Sequence, residues 1–394
     1  MNNKLKVLNI AKFLPIDGLL PENDITLKIY NDLQKRYQVK SEFVMPCPHI
    51  PKWTTNLKKS LKINYGILNN TDYYDKNYNL KINFFKSVFP ISFLYKYPTI
   101  SYYDLIFQFN FYGRNLIKIF KRYSPNLIHA HTVTDAFYAY KLFKKFHIPY
   151  VVTLRGSYIP LYDNNLIKKI LKNAKCLITP SYNLYSKLSN NYNIKLMPHG
   201  LNNVWYLKGN KKTDNSIQRL VTVSRLLKMK NIQIVIETIA KMKKDGFSVR
   251  YDIVGDGPYK IELEKLVKQL DLKNEIKFYG FQSEEEIIKI YKNNDIFIML
   301  SYPETFGRVY FEAAAQGLLV FGVKETGADG YFKSDEAIFI EPNIKNTFKT
   351  LKNLKKYGFK NKIIKSRLKV NSFKNEIIIK QYYSLICNSF TNNY

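Results

Sequence analysis

Short apolar runs alternate along the chain with stretches whose apolar residues recur every three or four positions, the pattern of buried parallel strands joined by helices. In the first half the apolar runs are Leu5–Ile10, Leu127–His131, Pro149–Leu154, Cys176–Thr179 and Ile194–Leu196. Helical periodicity covers about Asn23–Arg36, Gly113–Tyr123, Asp135–Phe146, Leu166–Asn173 and Tyr182–Ser189. Residues 206–217 are polar and aperiodic, as a linker is. The alternation then restarts, with strands predicted at Arg219–Val223, Val249–Val254, Ile276–Tyr279, Ile296–Leu300 and Leu319–Val323. Helices are predicted at Ile232–Lys243, Tyr259–Leu270, Glu284–Lys292 and Phe311–Gln316. This predicts an α/β chain of two doubly wound domains, 1–205 and 218–365, facing across a cleft. The basic tail, 366–394, is expected to be a helix that packs back on the first domain.

The order is hard to read from Cys47 to about Tyr112, which is rich in Tyr, Phe, Lys and Asn and includes Phe84-Phe85, Phe89 and Tyr102-Tyr103. Aromatics interleaved with Lys suit a membrane-interface surface or the core of an insertion. Both readings stay open.

Open α/β sheets bind ligands beyond the carboxyl ends of their strands, so the residues there carry the candidate chemistry. The central stretch is Ser301–Gly317, in which Glu304 and Glu312 bracket a strand-to-helix turn. Seven residues separate them, about two helical turns, so they would share a side if the first part were already helical. A surface turn followed by a solvated helix is the plainer alternative. Arg225 and Lys230, five apart on one loop, would suit a diphosphate, and carboxylates would suit sugar hydroxyls. Gly255, Gly257 and Gly327 fall on neighbouring loops. In the first half His131 and Arg155 end adjacent predicted strands, and Gly18 lies in the first loop, where a plain turn reads as well as a phosphate contact. There is no Asp-x-Asp pair and no His, Cys or carboxylate cluster with metal spacing, so cationic side chains would replace a divalent metal. No P-loop is present, and Gly255-Asp256-Gly257 is too short for a dinucleotide fingerprint.

With 62 Lys+Arg against 31 Asp+Glu, the formal charge is +31. The excess is uneven: residues 1–200 hold 29 basic and 10 acidic side chains, 201–344 hold 21 and 20, and 345–394 hold 12 and 1. Such a field suits an anionic membrane surface, although a general Lys, Asn, Ile and Tyr bias explains part of it. Zinc-finger spacing, RNP-type aromatics and basic heptads are missing, so nucleic acid is not an expected partner. Cys47, Cys176 and Cys387 are far apart and odd in number, against a disulfide framework and for a reducing compartment. No apolar run reaches the roughly 18 residues of a membrane span. The expected location is cytoplasmic, at most peripheral on the inner membrane face.

Four ordered motifs carry a resemblance: Val223-Ser224-Arg225-Leu226-Leu227-Lys228-Met229-Lys230-Asn231, Ile253-Val254-Gly255-Asp256-Gly257-Pro258, Tyr279-Gly280-Phe281, and the E-x(7)-E of Glu304 to Glu312. They resemble the retaining, nucleotide-sugar-dependent glycosyltransferases of family 4, of GT-B fold, over about 219–330. The likeness extends to 1–205 through the His131 strand and Pro198-His199-Gly200. The resemblance implies that Arg225 and Lys230 hold the donor diphosphate and Glu312 the ribose. Glu304, with the backbone at Phe306 and Gly307, would contact the sugar, His131 would face it from the first domain, and Gly18 would approach the phosphates. Retention in such enzymes is ascribed to front-face attack, the leaving phosphate taking the acceptor proton, with no protein nucleophile. Three features depart from the pattern: one glycine in the first loop, no paired glycine and following Glu at Gly327-Ala328-Asp329, and Arg155 where many relatives have His. Arg155 would suit an acidic or phosphorylated acceptor. The function implied is transfer from a UDP-, GDP- or dTDP-sugar, without metal or other cofactor, to a glycan or lipid-linked acceptor of surface polysaccharide or glycolipid synthesis. A nucleotide-sugar 2-epimerase and a non-catalytic glycan-binding or partner subunit are the alternatives.

Overall fold

The computed structural model describes residues 4–11, 25–49, 72–88, 113–155, 164–206, 218–357 and 359–391. The chain divides into two compact units, Met1–Thr179 with Leu188–Met197 and Ile379–Tyr394, and Pro180–Lys187 with Pro198–Ile378. Each contains a mainly or wholly parallel sheet whose strands are joined by helices.

The elements in chain order begin with β1 (Lys6–Ile10), α1 (Ile25–Tyr37), β2 (Lys40–His49), β3 (Asp72–Asp75), β4 (Leu80–Val88) and α2 (113–123). Next come β5 (Leu127–Ala130), α3 (Val133–Phe146), β6 (Tyr150–Thr153), α4 (Asn165–Asn173), β7 (Cys176–Thr179), α5 (Tyr182–Leu188) and β8 (Ile194–Leu196). The first sheet runs β3-β4-β2-β1-β5-β6-β7-β8, with only β3 antiparallel. Its direction of winding reverses between β1 and β5, whose ends carry Ala11 and His131. The central strands β5, β6 and β7 are buried at every position, which is why they read as unbroken apolar runs. Helix α3 starts where the Thr132 hydroxyl accepts from the Asp135 N–H at 3.1 Å. It ends at left-handed His147, whose N–H reaches Phe143 O.

The second unit holds β9 (Gln218–Val223), α6 (Ile232–Lys244), β10 (Val249–Val254), α7 (Lys260–Gln269), β11 (Ile276–Gly280), α8 (Glu284–Lys292) and β12 (Ile296–Ile298). It continues with α9 (Arg308–Ala315), β13 (Leu319–Val323), β14 (Ile338–Ile340), α10 (Ile344–Tyr357) and α11 (Lys360–Val370). The last helix, α12 (Asn375–Thr391), runs from this unit into residues grouped with the first. The strand order β11-β10-β9-β12-β13-β14 is that of a doubly wound dinucleotide fold, with its switch point between β9 and β12. One apolar core, including Leu220, Ile253, Ile296, Ile298 and Phe321 on the strands and Val235, Ile239 and Leu351 on the helices, supports the sheet.

The structure corrects several boundaries. The helix expected at Phe311 begins at Arg308, and the strand expected through Leu300 ends at Ile298. The single basic tail helix is two helices, α11 and α12, separated by a 3-10 turn at Asn371–Phe373. Of the segment 47–112, β3, β4 and the end of β2 are described, and β4 pairs in parallel with β2 along eight residues. The buried side chains of Leu80, Ile82 and Phe84 fit the core reading there; Phe89 and Tyr102-Tyr103 lie outside the described residues.

Candidate active site

At the switch point of the second sheet the loops after β9 and β12 are stitched together. Tyr302 N–H donates to Met229 O at 3.0 Å, and Asn231 Nδ2 donates to Leu300 O at 2.8 Å. These contacts bring Lys230 beside Glu304: Nζ lies 2.6 Å from Oε2, and each side chain is only 16% exposed. A pair so short and so sheltered is a charge-assisted hydrogen bond in a reduced dielectric.

The Glu304 backbone is held from the loop after β13. Thr326 Oγ1 accepts from Glu304 N–H and donates to Glu304 O, both at 2.7 Å. Gly327 N–H donates to the same carbonyl at 3.0 Å. The Gly327 N–H is therefore spent on positioning Glu304 and does not point a free donor at a phosphate. Thr305 N–H donates to Glu304 Oε1 at 3.1 Å, fixing the carboxylate in the turn.

The helical condition for a shared carboxylate face fails. Residues 304–307 form a turn, and Gly307, left-handed at φ 67°, caps α9. A Cβ at Gly307 would meet the Tyr310 ring at 2.6 Å, and one at Gly327 would meet it at 3.1 Å. The backbone thus closes on Tyr310 at two glycines. Its hydroxyl donates to Met299 O at 2.7 Å, and burial, with a contribution from Glu304, pushes its pKa well up. Phe306 is buried, stacked on Phe311 with centroids 4.4 Å apart and met edge-on by His199 at 5.1 Å. Only its backbone is left to touch a ligand.

Glu312 is held separately on α9. Arg308, one turn earlier, donates from Nε to Glu312 Oε1 at 2.6 Å and reaches Glu284 Oε1 at 3.4 Å. The Glu312 side chain is 4% exposed. A carboxylate so buried needs such a partner.

Gly255 and Gly257 serve loop packing. Gly255, at φ 126°, has no room for a Cβ, which would fall 1.9 Å from Ser224 O; a Cβ at Gly257 would fall 2.4 Å from Leu226 O. The Gly255 N–H is committed to Gly280 O at 2.7 Å. These glycines let the loop after β10 lie on the one carrying Arg225, an exposed residue. Ser224 and Ser301, at the ends of the two switch-point strands, have hydroxyls without partners among the described residues.

In the first unit His131 follows β5, its N–H donating to Ile10 O at 3.0 Å. Asn9 Oδ1 lies 2.9 Å from its Nε2, which calls for the Nε2–H tautomer. The ring sits 3.9 Å from that of His129. His129 is bracketed by Tyr30 OH on Nδ1 at 2.7 Å and Thr153 Oγ1 on Nε2 at 2.8 Å. Burial and then nearby Arg155 pull His129 down to about 3. Burial, followed by His129 and Arg155, puts His131 well below its usual value. Both imidazoles are neutral hydrogen-bonding groups, not cations. Arg155 Nη2 donates to Thr26 Oγ1 at 3.1 Å. Gly18 lies outside the described residues.

The structure thus brings Lys230, Glu304 and Gly327 together, with Gly307 bordering Glu304, and gives Glu312 its own clamp on α9. Sequence reading missed Thr326, Arg308, Asn231 and Asn9. Thr326 stands beside Gly327, Asn231 ends the motif that carries Arg225 and Lys230, and Arg308 lies within the central stretch, so only Asn9 carried no signal. Among the described residues no group of three or more His, Cys, Asp or Glu could hold a metal ion, and no helix is long and apolar enough to cross a membrane.

Residues 208–366 match the family model described as glycosyl transferases group 1, and residues 90–202 match that of glycosyltransferase family 4. The alpha-monoglucosyldiacylglycerol synthase of Acholeplasma laidlawii is 25% identical over 277 residues, 59% of this chain and 69% of that protein. The N-acetyl-alpha-D-glucosaminyl L-malate synthase of Bacillus anthracis is 25% identical over 277 residues, 63% of this chain and 72% of that one. Among solved structures, sucrose-phosphate synthase from Thermosynechococcus elongatus superposes with a TM-score of 0.71 at 16% identity, covering 98% of this chain and 99% of its own. Anabaena HepE, in complex with UDP and glucose, gives 0.64 at 17% identity, covering 98% of this chain and 100% of its own. The family 4 match contains β5 to β8 of the first sheet and the group 1 match contains the whole second sheet, and the chain belongs to the group 1, family 4 glycosyltransferases of GT-B fold.

Proposed function

We propose that this glycosyltransferase moves a sugar, with retention, from a UDP-, GDP- or dTDP-sugar to a glycan or lipid-linked acceptor in surface polysaccharide or glycolipid synthesis. The observation that carries the reading is the Lys230–Glu304 pair at the switch point, 2.6 Å long and sheltered. Lys230 and exposed Arg225 supply positive charge for a diphosphate, and Ser224 and Ser301 hold unspent hydroxyls at the same strand ends. Glu304, anchored at both ends of its backbone unit, accepts from sugar hydroxyls beside the backbone of Phe306 and Gly307. Glu312, oriented by Arg308, accepts from the ribose.

His131, neutral, offers the sugar a hydrogen bond, and Arg155 attracts an acidic or phosphorylated acceptor. No protein nucleophile takes part. The acceptor oxygen bonds to the anomeric carbon, the carbon–phosphate oxygen bond breaks on the same face, and the leaving phosphate receives the acceptor proton. Cations take the place of a divalent metal. Two names support the substrate class: a relative is an alpha-monoglucosyldiacylglycerol synthase, and a structural neighbour was solved in complex with UDP and glucose. The site of action is the cytoplasmic membrane face.

A panel of UDP-, GDP- and dTDP-sugars screened by thermal stabilisation identifies the donor. Product stereochemistry by NMR then tests retention. An inverted product overturns retention. Epimerisation of labelled donor without acceptor makes the chain a 2-epimerase, and full function in Glu304→Ala makes it a non-catalytic subunit.

A further inference from the structure

Helix α11 has two contrasting faces. Ile363, Ser366 and Val370 are buried, and the helix packs on α9 and β13. On the opposite side Ile364 and Leu368 are 50% and 66% exposed, four residues apart and so on one stripe. Every charged residue of the helix is a cation: Lys360, Lys362, Lys365, Arg367 and Lys369. At about 100° per residue, Lys360 flanks the aliphatic stripe on one side and Lys365 and Lys369 flank it on the other.

Two carboxylates stand near this face: Asp335, 2.6 Å from Lys365, and Glu336, which acts on the same ammonium from further off. Lys362 donates to Ser334 O and also lines a cavity of about 670 Å³ whose wall includes Lys324 and Lys349. A chain-wide lysine excess does not account for the arrangement. Residues 201–344 balance 21 basic with 20 acidic side chains, whereas 345–394 hold 12 and 1. Nor does solvation by lysine explain two bare aliphatic side chains between the cations. An apolar stripe flanked by cations on an exposed helix is the form that lies in a bilayer interface.

We propose that α11 is a docking face for an anionic lipid bilayer: Ile364 and Leu368 enter the interface, and the flanking ammonium groups meet lipid phosphates. The opposite face of α11 rests on α9, which carries Glu312, so docking sets the donor-binding unit directly on the membrane. The inference rests on the proposed function only in taking the acceptor to be lipid-borne; the contact itself does not depend on the donor.

The test uses the full chain and vesicles of phosphatidylcholine, with or without about one-third phosphatidylglycerol. Sedimentation should show binding that needs the anionic lipid and weakens as salt rises beyond roughly 0.1 M. The exposed double variant Ile364→Ser with Leu368→Ser should lower partitioning about tenfold. Lys360→Gln with Lys369→Gln should lower it about 30-fold. In Leu368→Trp the indole emission should shift to the blue on anionic vesicles. Donor affinity by calorimetry should be unchanged in every variant, so loss of donor binding in the parent chain would refute the proposed function and leave the docking result standing. Absence of vesicle binding, partitioning of both double variants equal to that of the parent chain, or Leu368→Trp emission that responds to a protein partner and not to vesicles would overturn the inference.

Discussion

The Lys230–Glu304 pair leads to a prediction with opposite signs for two ligands. In Glu304→Gln the side chain keeps its shape and a carbonyl oxygen but loses its charge, and Lys230 loses an ion-pair partner 2.6 Å away. For a diphosphate held by Lys230, the Glu304 carboxylate is a repelling neighbour. At a separation of ~6 Å and an effective dielectric of ~20, each pair of unit charges repels by ~3 kcal/mol. Solvent and salt reduce that to ~1 kcal/mol at a site only partly dry. The nucleoside diphosphate alone should therefore bind about fivefold more tightly to Glu304→Gln. The nucleotide sugar should behave otherwise, because the amide cannot accept two strong hydroxyl hydrogen bonds. A hydrogen bond to a charged group contributes ~1.5–3 kcal/mol, so kcat/KM should fall about 100-fold. Titration calorimetry with UDP, or with the base that the donor panel selects, and steady-state kinetics with the intact donor give both numbers. Weaker diphosphate binding in Glu304→Gln, or unchanged turnover, would refute the assignment of Lys230 to phosphate and Glu304 to sugar.

Thr326→Val removes both hydroxyl contacts to the Glu304 backbone and leaves an N–H unsatisfied, costing ~1–3 kcal/mol; kcat should drop with little change in diphosphate affinity, and Thr326→Ser should restore it. Gly307→Ala forces a left-handed alanine against the Tyr310 ring, at a cost of ~1–3 kcal/mol. The comparison is Gly246→Ala, equally left-handed at φ 79° but with open space around it, so a thermal melt should show the larger loss at Gly307. Acid should destabilise the first unit. His129 sits at about 3 in the fold and near ~6.5 unfolded, so the unfolded chain binds more protons between these values. Its stabilisation is complete above the unfolded value and declines as pH falls toward the folded one. Between about pH 7.5 and 5.0 it should lose ~2 kcal/mol, read as faster hydrogen exchange in β5 and β6, and His129→Asn should flatten that slope.

The fold was legible wherever burial on both faces of a strand erased polar positions, as in β5 to β7 and β13, where every residue is buried. Reading failed at β2 and β4, whose pairing is nonlocal, and at β14, an edge strand only half-buried along its length. No local pattern marks such strands. The charged residues of the candidate site stood out because a strand-end charge is uncommon, and a motif fixed the spacing of Glu304 and Glu312. Their partners stood out less. Arg308 beside Glu312 looks like an ordinary helical ion pair, and Thr326 acts across 22 residues of chain through two backbone bonds. The glycines were recognised but not explained: Gly255 and Gly257 are forced by two loops in contact, a reason that exists only in three dimensions.

Both predicted carboxylates have a cation of their own, Glu304 with Lys230 and Glu312 with Arg308. The stretch 201–344 that holds both pairs is almost neutral, with 21 basic and 20 acidic residues, in a chain of +31. Donor recognition would then depend on a few positioned groups over short distances, while attraction to an anionic surface depends on the summed charge of the remaining segments. Those two interactions differ in their response to salt. Raising ionic strength from about 0.1 to 1 M shortens the screening length from ~10 to ~3 Å. That removes most of a diffuse surface attraction and spares much of a sheltered contact. Donor affinity should therefore fall far less than vesicle binding over the same range. Parallel losses would mean that the donor, too, is held mainly by the general field, and the assignment of its phosphates to Lys230 in a sheltered site would have to be given up.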